Sequence, residues 1–246
     1  MQKLSSFPMK CAIIQFKPEK GLGNVNYNRI IQICEAAISE GAQLLHLPEM
    51  CLVGYIWPNR AALEDHLEPK EGKTFQLFAK FCKSHQVYLA YGFAEIDEQG
   101  RAYNSQNLIG PEGNLLAHYR KRHLFNADLA WASPGNLPFQ TVETPLGRIG
   151  LGICMDLNFD DFVQHHFDQG TEILLLAVNW LDEGGIVQNY WTYRLHPYRG
   201  HCLIANSYGS DGSFVFCGRS SHFDRGSLQK SLPPAGNHHL LVHISK

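Results

Sequence analysis

The chain has no long apolar segment and no concentration of basic charge. No uninterrupted apolar run approaches the ~20 residues that a membrane-spanning helix needs, and the opening segment MQKLSSFPMK lacks an apolar stretch of signal-peptide length. The formal net charge of the 246 residues is -2, and basic residues do not gather into a run. We therefore expect a cytoplasmic protein that binds neither membranes nor nucleic acids.

The spacing of cysteines and histidines indicates neither disulfides nor a metal. The seven cysteines are an odd number and include no C-x-x-C pair, so neither a complete disulfide framework nor a zinc motif is indicated. The adjacent histidines at 165–166 and 238–239 lack a third ligand at metal-binding spacing. We expect reduced, mostly buried thiols and a protein that works without a metal or an organic cofactor.

Short apolar runs alternate along the chain with stretches in which apolar residues recur at helical spacing. This pattern predicts helices at 24–40, 74–84, 158–168 and 188–198, and strands at 10–16, 43–47, 87–95, 102–109, 115–119, 149–154, 173–178, 203–207, 214–217 and 240–244. Such alternation is typical of α/β proteins, in which helices cover mostly buried sheets. No Pro/Gly-rich linker divides the pattern, so we expect one domain over residues 1–246.

Two charged residues stand where predicted strands end. Pro48 cannot donate to a sheet, so Glu49 occupies the first position past the strand at 43–47. Lys121 follows the strand at 115–119 and alternates with Tyr119, so the two side chains can share a face. Reactive residues gather beyond the carboxyl ends of strands in such sheets, although a solvated loop glutamate and a solvated basic cluster are the simpler interpretations.

A third candidate is a cysteine between a strand and a helix. The segment RIGLGICMDLNFDDF leads a strand directly into Cys154, and Gly150 and Gly152 leave room for close approach of neighbouring groups. Helical N–H groups after Cys154 are expected to favour its thiolate, the form that attacks carbonyl carbon. An ordinary buried cysteine is the alternative that this spacing leaves open.

The three segments HLPEMCLVGY, YRKRHLF and GRIGLGICMD occur in this order, and together they resemble the three signatures of the nitrilase or carbon–nitrogen hydrolase superfamily. The resemblance implies a four-layer α-β-β-α sandwich, a homodimer, and cofactor-free hydrolysis of carbon–nitrogen bonds. It also implies that Glu49, Lys121 and Cys154 are catalytic. One departure concerns a second glutamate that many relatives carry after the lysine, where the nearby carboxylate in this chain is Asp128.

Within the superfamily, GICMDLN, NYWTYRLHP and LAVNWLD are most similar to the fungal amidases that deamidate N-terminal asparagine or glutamine of proteins. The expected substrate is thus a small-molecule amide or a peptide N-terminus. Alternatives are an omega-amidase, an N-carbamoyl amine hydrolase, an enzyme that passes the acyl group to an amine, and a non-catalytic binding or assembly module. The sequence does not choose among acyl groups, because loop shape sets that specificity.

Amide hydrolysis needs a nucleophile, an acid for the departing nitrogen and stabilisation of the oxyanion. We expect Glu49 to exchange protons with Cys154 and the leaving group, while Lys121 and the N–H of Met155 hold the oxyanion. Residues that follow the run at 173–178 should line the pocket by the same strand-end reasoning. The substrate-binding candidates are Met155, Asn179, Trp180, Asp128 and Trp131, of which Trp180 could equally belong to the core.

Overall fold

The computed structural model describes residues 9–245. In chain order its first half contains β1 Met9–Gln15, α1 Gly23–Ser39, β2 Leu44–His46, α2 Arg60–Leu63, α3 Lys73–His85, β3 Tyr88–Ile96, β4 Ala102–Ile109 and β5 Leu115–Arg120. The second half contains β6 Gln140–Thr144, β7 Gly147–Ile153, α4 Asp160–Asp168, β8 Ile173–Val178, α5 Val187–Leu195, β9 His201–Asn206, β10 Tyr208–Asp211, β11 Phe214–Cys217, β12 Ser221–Asp224, β13 Ser227–Ser231 and β14 His238–Ile244.

Two six-stranded sheets form the centre of the molecule. The first has the strand order β14-β1-β2-β3-β4-β5, with β1, β2 and β3 parallel to one another. The second has the order β13-β12-β9-β8-β7-β6, with β7, β8 and β9 parallel. A separate two-stranded ribbon pairs β10 with β11. The carboxyl ends of the parallel strands in each sheet therefore lie at one edge, where loops can converge.

Alternation along the strands separates two hydrophobic layers. In β1, Cys11 and Ile13 join the core between the two sheets, whereas Ala12 and Ile14 pack with apolar residues of α1 and α3. The period of two residues in a strand produces this division, because successive side chains point to opposite faces. Helices α4 and α5 contribute Phe162 and other buried residues to the core of the second sheet. The four-layer α-β-β-α sandwich is thus confirmed.

Glycines allow close contacts at the two positions that the sequence predicted, Gly150 and Gly152, and at Gly92. A Cβ atom on Gly152 would lie 2.2 Å from Cζ of Phe162, and one on Gly150 would lie 2.6 Å from Nδ1 of His166. In the other sheet, a Cβ on Gly92 would lie 2.7 Å from the Cα of Glu49. These three positions let a helix and a loop approach the sheet backbone more closely than any larger residue permits.

Some elements differ from the prediction. The strand predicted at 149–154 ends at Ile153, residues 154–158 form a 3₁₀ turn, and α4 begins at Asp160 rather than at 158. Helix α5 ends at Leu195 rather than continuing to 198. The strands β6, β10, β12 and β13 and the short helix α2 were not predicted. All residues of β13 are exposed, so it lacks the apolar alternation on which the prediction depends. No helix in residues 9–245 has the length and apolar character needed to cross a membrane.

Candidate active site

Four of the predicted site residues follow strands whose carboxyl ends share one edge of the sandwich. Glu49 lies three residues past β2, Lys121 directly follows β5, Cys154 directly follows β7, and Asn179 directly follows β8. Strand β5 runs in the direction of β2 because it is antiparallel to β4, which is antiparallel to β3. The topology therefore places all four residues at this edge of the sandwich.

Lys121 is fully buried between two carboxyl groups. Its Nζ donates to Oε1 of Glu49 at 2.7 Å and to Oδ2 of Asp128 at 2.7 Å, with the hydroxyl of Tyr55 farther away at 3.5 Å. Burial by itself lowers the pKa of Lys121, but the charges of Asp128 and Glu49 outweigh it and raise that pKa well above its usual value. Lys121 is therefore a permanent ammonium ion.

Glu49 uses its two carboxyl oxygens differently. Oε1 accepts from Lys121 and, at 2.7 Å, from Nδ2 of Asn104, whereas the buried Oε2 has no hydrogen-bond partner among residues 9–245. Burial and the charge of Asp128 raise the pKa of Glu49, although Lys121 and Asn104 pull it down. Glu49 thus has an enhanced affinity for a proton and one oxygen free to take it.

Asp128 lies beside Glu49 in the same buried network. Its Oδ2 accepts the backbone N–H of Phe125 at 2.9 Å as well as the Lys121 ammonium, and its Oδ1 accepts from Nδ2 of Asn104 at 3.0 Å. Asn104 therefore bridges both carboxyl groups. Sequence reasoning missed Asn104, although the run Asn-Ser-Gln-Asn inside the fully buried strand β4 was a visible signal that polar groups there need partners.

Cys154 adopts a left-handed backbone conformation with φ of +42° at the start of the 3₁₀ turn that follows β7. Burial and the nearby Glu49 carboxylate raise the pKa of its thiol well above the usual range, and Lys121 offsets them only in part. Burial thus opposes the thiolate that helical N–H groups were expected to favour. One short 3₁₀ turn supplies a smaller dipole than an α-helix, and desolvation dominates.

A buried carboxyl group holds the turn that carries Cys154. Oδ2 of Asp156 accepts the backbone N–H of Ile153 at 3.0 Å and the hydroxyl of Tyr119 at 2.9 Å, and its Oδ1 accepts the N–H of His123 at 3.0 Å. Burial raises the pKa of Asp156 to about 7. These bonds join the Cys154 turn to the segment on both sides of Lys121, so Asp156 fixes the two relative to each other.

A cavity of about 80 Å³ opens at Cys154 and is lined by Phe125, Cys154, Met155, Asn158, Asn179, Trp180, Leu181 and Glu183. Three of the five substrate-binding candidates are present, since Met155, Asn179 and Trp180 line it. Asn179 also donates from Nδ2 to the backbone oxygen of Glu49 at 2.9 Å. Trp180 belongs to the core as well, because its ring contacts those of Tyr190 and Trp191.

The other two candidates lie outside the lining of this cavity. Asp128 does not line the cavity and instead accepts a hydrogen bond from Lys121. Trp131 packs instead in an apolar cluster with Met50, Tyr55 and Phe216, because the 3₁₀ turn at Asp128–Ala130 directs the following chain toward that cluster. Four lining residues were missed, since they come from turns and loops whose course the sequence pattern does not define: Phe125, Asn158, Leu181 and Glu183. Within residues 9–245, no group of three His, Cys, Asp or Glu side chains is arranged to hold a metal ion.

The fold is shared with a solved amidase structure. An amidase from Nesterenkonia sp. superposes with a TM-score of 0.88 at 20% identity, over 100% of this chain and 93% of the amidase. A variant of that amidase, which superposes with a TM-score of 0.87 at 19% identity over 98% of this chain and 91% of the variant, shows covalent addition of the acetamide moiety of fluoroacetamide at its active-site cysteine.

The sequence profile of the carbon–nitrogen hydrolases matches residues 10–226, and the chain belongs to this family. It is therefore a hydrolase of carbon–nitrogen bonds other than peptide bonds.

Curated relatives agree with this assignment. The protein N-terminal amidase of Schizosaccharomyces pombe is 29% identical over 256 aligned positions, covering 86% of this chain and 90% of that protein. The omega-amidase NIT2 of Mus musculus is 29% identical over 68% of this chain, and that of Homo sapiens is 31% identical over 61%. These two matches span 62% and 56% of the omega-amidases, less than two thirds of their length.

Proposed function

We propose that this hydrolase releases ammonia from the side-chain amide of an N-terminal asparagine or glutamine, through a thioester on Cys154. The observation that carries the catalytic part is the buried Glu49, which has one oxygen bound to Lys121 and one oxygen without a partner among residues 9–245, near the thiol of Cys154. The N-terminal amidase of S. pombe, aligned over most of both chains, supports the choice of substrate.

In the acylation half-reaction, Oε2 of Glu49 takes the proton of the Cys154 thiol as the sulfur adds to the amide carbon. The negative charge that develops on the amide oxygen is stabilised by the Lys121 ammonium and the backbone N–H of Met155. The tetrahedral intermediate then collapses as Glu49 returns the proton to the leaving nitrogen. Ammonia departs, and the acyl group remains on sulfur as a thioester.

In the deacylation half-reaction, Glu49 removes a proton from water as the water oxygen adds to the thioester carbon. The same two donors stabilise the second oxyanion. Collapse breaks the carbon–sulfur bond, releases the carboxylic acid and returns the proton from Glu49 to the Cys154 sulfur. Glu49 thus acts in both halves, and a carboxyl group with a raised pKa suits alternate acceptance and donation of a proton near neutral pH.

Asp128 has a positioning role in this scheme. It binds Lys121 and Asn104, each of which also binds Glu49. It is the carboxylate nearest in sequence to the region in which many relatives carry a second glutamate. A shorter carboxylate suffices here because Lys121 and the N–H of Phe125 lie within hydrogen-bond distance of it.

Ammonia release from a panel of amides tests the proposal. The panel contains peptides with N-terminal asparagine or glutamine, glutaramate-like amides, carbamoyl amines and nitriles. We expect the N-terminal peptides to have the highest kcat/KM. A preference for glutaramate-like amides or carbamoyl amines would instead identify an omega-amidase or an N-carbamoyl amine hydrolase. Release of ammonia from none of these compounds would favour a binding module, and product formed only with added amine would favour acyl transfer.

We also propose that the protein acts in the cytoplasm as a homodimer. All seven cysteines are free, which fits a reducing compartment. Helices α4 and α5 carry exposed apolar side chains, with Phe167 42% and Tyr193 71% exposed, on either side of a groove. A homodimer with twofold symmetry would bury this face against its own copy.

Tyr193→Glu is expected to weaken the dimer, because it places a charge in the apolar contact. The loss of a central aromatic residue typically costs about 2 kcal/mol, so the dissociation constant should rise by about 30-fold. Sedimentation equilibrium measures this change. Val25→Glu, which alters an exposed apolar residue on α1 in the opposite layer, is the matched control and should leave the dimer intact. A parent protein that sediments as a monomer at micromolar concentration would overturn the proposal.

A further inference from the structure

The lining of the cavity at Cys154 carries charge of one sign. Of its eight lining residues, Glu183 is charged, and the others are apolar, aromatic, amide or thiol side chains. No lysine, arginine or histidine of residues 9–245 belongs to this lining. A substrate that enters the cavity therefore meets a carboxylate and no cation before it reaches the sulfur.

The network behind Cys154 does not supply a spare positive charge. Its one ammonium, on Lys121, already donates to the carboxyl groups of Glu49 and Asp128 at 2.7 Å each. In the reaction this ammonium faces the oxyanion, so it is not available to a carboxylate elsewhere on the substrate. An anionic amide would thus lose its hydration without gaining a partner, which is unfavourable.

Glu183 is held close to the cavity by the backbone around it. Leu181 forms a bridge with Phe216, and the N–H of Asp182 donates to the oxygen of Val215 at 2.8 Å, so the segment before Glu183 is fixed to β11. Gly184 and Gly185, at φ of +76° and +81°, then turn the chain toward α5. The Glu183 carboxylate has no salt-bridge or hydrogen-bond partner within residues 9–245 and is exposed at the cavity.

We propose that Glu183 selects amides that carry an ammonium group beyond the acyl chain, and that the cavity discriminates against amides that carry a carboxylate there. This inference rests on the proposed function and adds the residue that recognises the charge of the substrate. The α-ammonium of a peptide N-terminus has the required charge, whereas glutaramate has the opposite one. Because Glu183 is exposed, each matched charge should change kcat/KM by a modest factor of about 5.

Three amides of similar length test the charge preference. They are 5-aminopentanamide, which is cationic, pentanamide, which is neutral, and glutaramate, which is anionic. We expect kcat/KM to fall in that order. In the Glu183→Gln variant, the ratio of kcat/KM for the cationic to the neutral amide should fall by about 5-fold. In Glu183→Lys, the ratio of kcat/KM for glutaramate to the neutral amide should rise by about 25-fold relative to the parent.

A peptide pair and a neighbouring variant provide the controls. Acetylation of the α-amino group of an N-terminal asparagine peptide removes the ammonium, and it should lower kcat/KM in the parent more than in Glu183→Gln. Asp182→Asn removes an adjacent exposed carboxylate that does not line the cavity, and it should leave the charge ratios unchanged. The inference would be overturned if the parent had the same kcat/KM for all three amides. It would also be overturned if Glu183→Lys kept the parent's order of kcat/KM. Absence of ammonia from every amide would instead overturn the proposed function.

Discussion

Cys154→Ala is expected to abolish ammonia release from every amide while the folded structure persists. The substitution removes the sulfur that forms the thioester, and loss of a nucleophile typically lowers kcat by about 10⁴–10⁶-fold. The change in volume is small, so the free energy of unfolding should change by about 1 kcal/mol or less. Ammonia release measures the first effect, and urea unfolding followed by circular dichroism measures the second.

Cys154→Ser and a second cysteine variant sharpen this test. The serine variant keeps a hydroxyl at the same position, but its much higher pKa makes proton removal by Glu49 far harder, so it should also be inactive. Cys11→Ala removes another buried thiol, in β1 of the first sheet, and should retain activity. Near-normal turnover in both Cys154 variants would exclude a covalent mechanism at this residue.

Lys121→Met is expected to lower both stability and rate. The substitution leaves Glu49 and Asp128 buried without their cation, and breaking a buried ion pair from one side costs about 3–5 kcal/mol. Loss of an oxyanion donor lowers kcat by a further factor of about 10²–10³. Arg122→Met, which removes a neighbouring exposed cation, should leave the free energy of unfolding within about 0.5 kcal/mol of the parent.

The stability deficit of Lys121→Met should depend on pH. Lys121 lowers the pKa of Glu49, so its removal raises the folded-state pKa of Glu49 further above the unfolded value. When the pKa of a carboxyl group is higher in the folded than in the unfolded protein, that group stabilises the fold at a pH below its unfolded-state pKa. This stabilisation is lost as the pH rises through the folded-state pKa. Urea unfolding should therefore show a larger deficit at about pH 8 than at about pH 5. A deficit independent of pH would show that Glu49 does not respond to Lys121.

The positions of Glu49 and Cys154 could be predicted from the sequence because the ends of the preceding strands can be recognised in it. Pro48 marks the end of the strand before Glu49, and glycine spacing leads the strand at β7 into Cys154. Parallel strands then bring such positions to one edge whatever the length of the intervening chain. The fold class follows from the same apolar periodicity, which is strongest in fully buried strands such as β8.

The protonation state of Cys154 and the hydrogen-bond partners of Glu49 could not be predicted from the sequence. Whether Cys154 is a thiol depends on desolvation and on the distance to Glu49, which are properties of the packed interior rather than of local spacing. Asn104 lies near the amino end of β4 rather than at the carboxyl end of a strand, so the strand-end reasoning did not select it, and its bonds to Glu49 and Asp128 form only in the folded chain. Trp131 was predicted to line the pocket, but it packs in an apolar cluster with Met50, Tyr55 and Phe216.

The most direct test of the account is the lifetime of the acyl group on Cys154 in Glu49→Gln. Glutamine retains the shape of Glu49 and an oxygen for Lys121, but it cannot accept a proton from water. With an activated ester, which needs no acid for its leaving group, a thioester that forms slowly on Cys154 should persist. Intact-mass spectrometry should then show a protein heavier by one acyl group, absent in the Glu49→Gln/Cys154→Ala double variant. If Glu49→Gln clears the thioester as fast as the parent enzyme, Glu49 is not the deacylation base, and Asp128 becomes the better candidate.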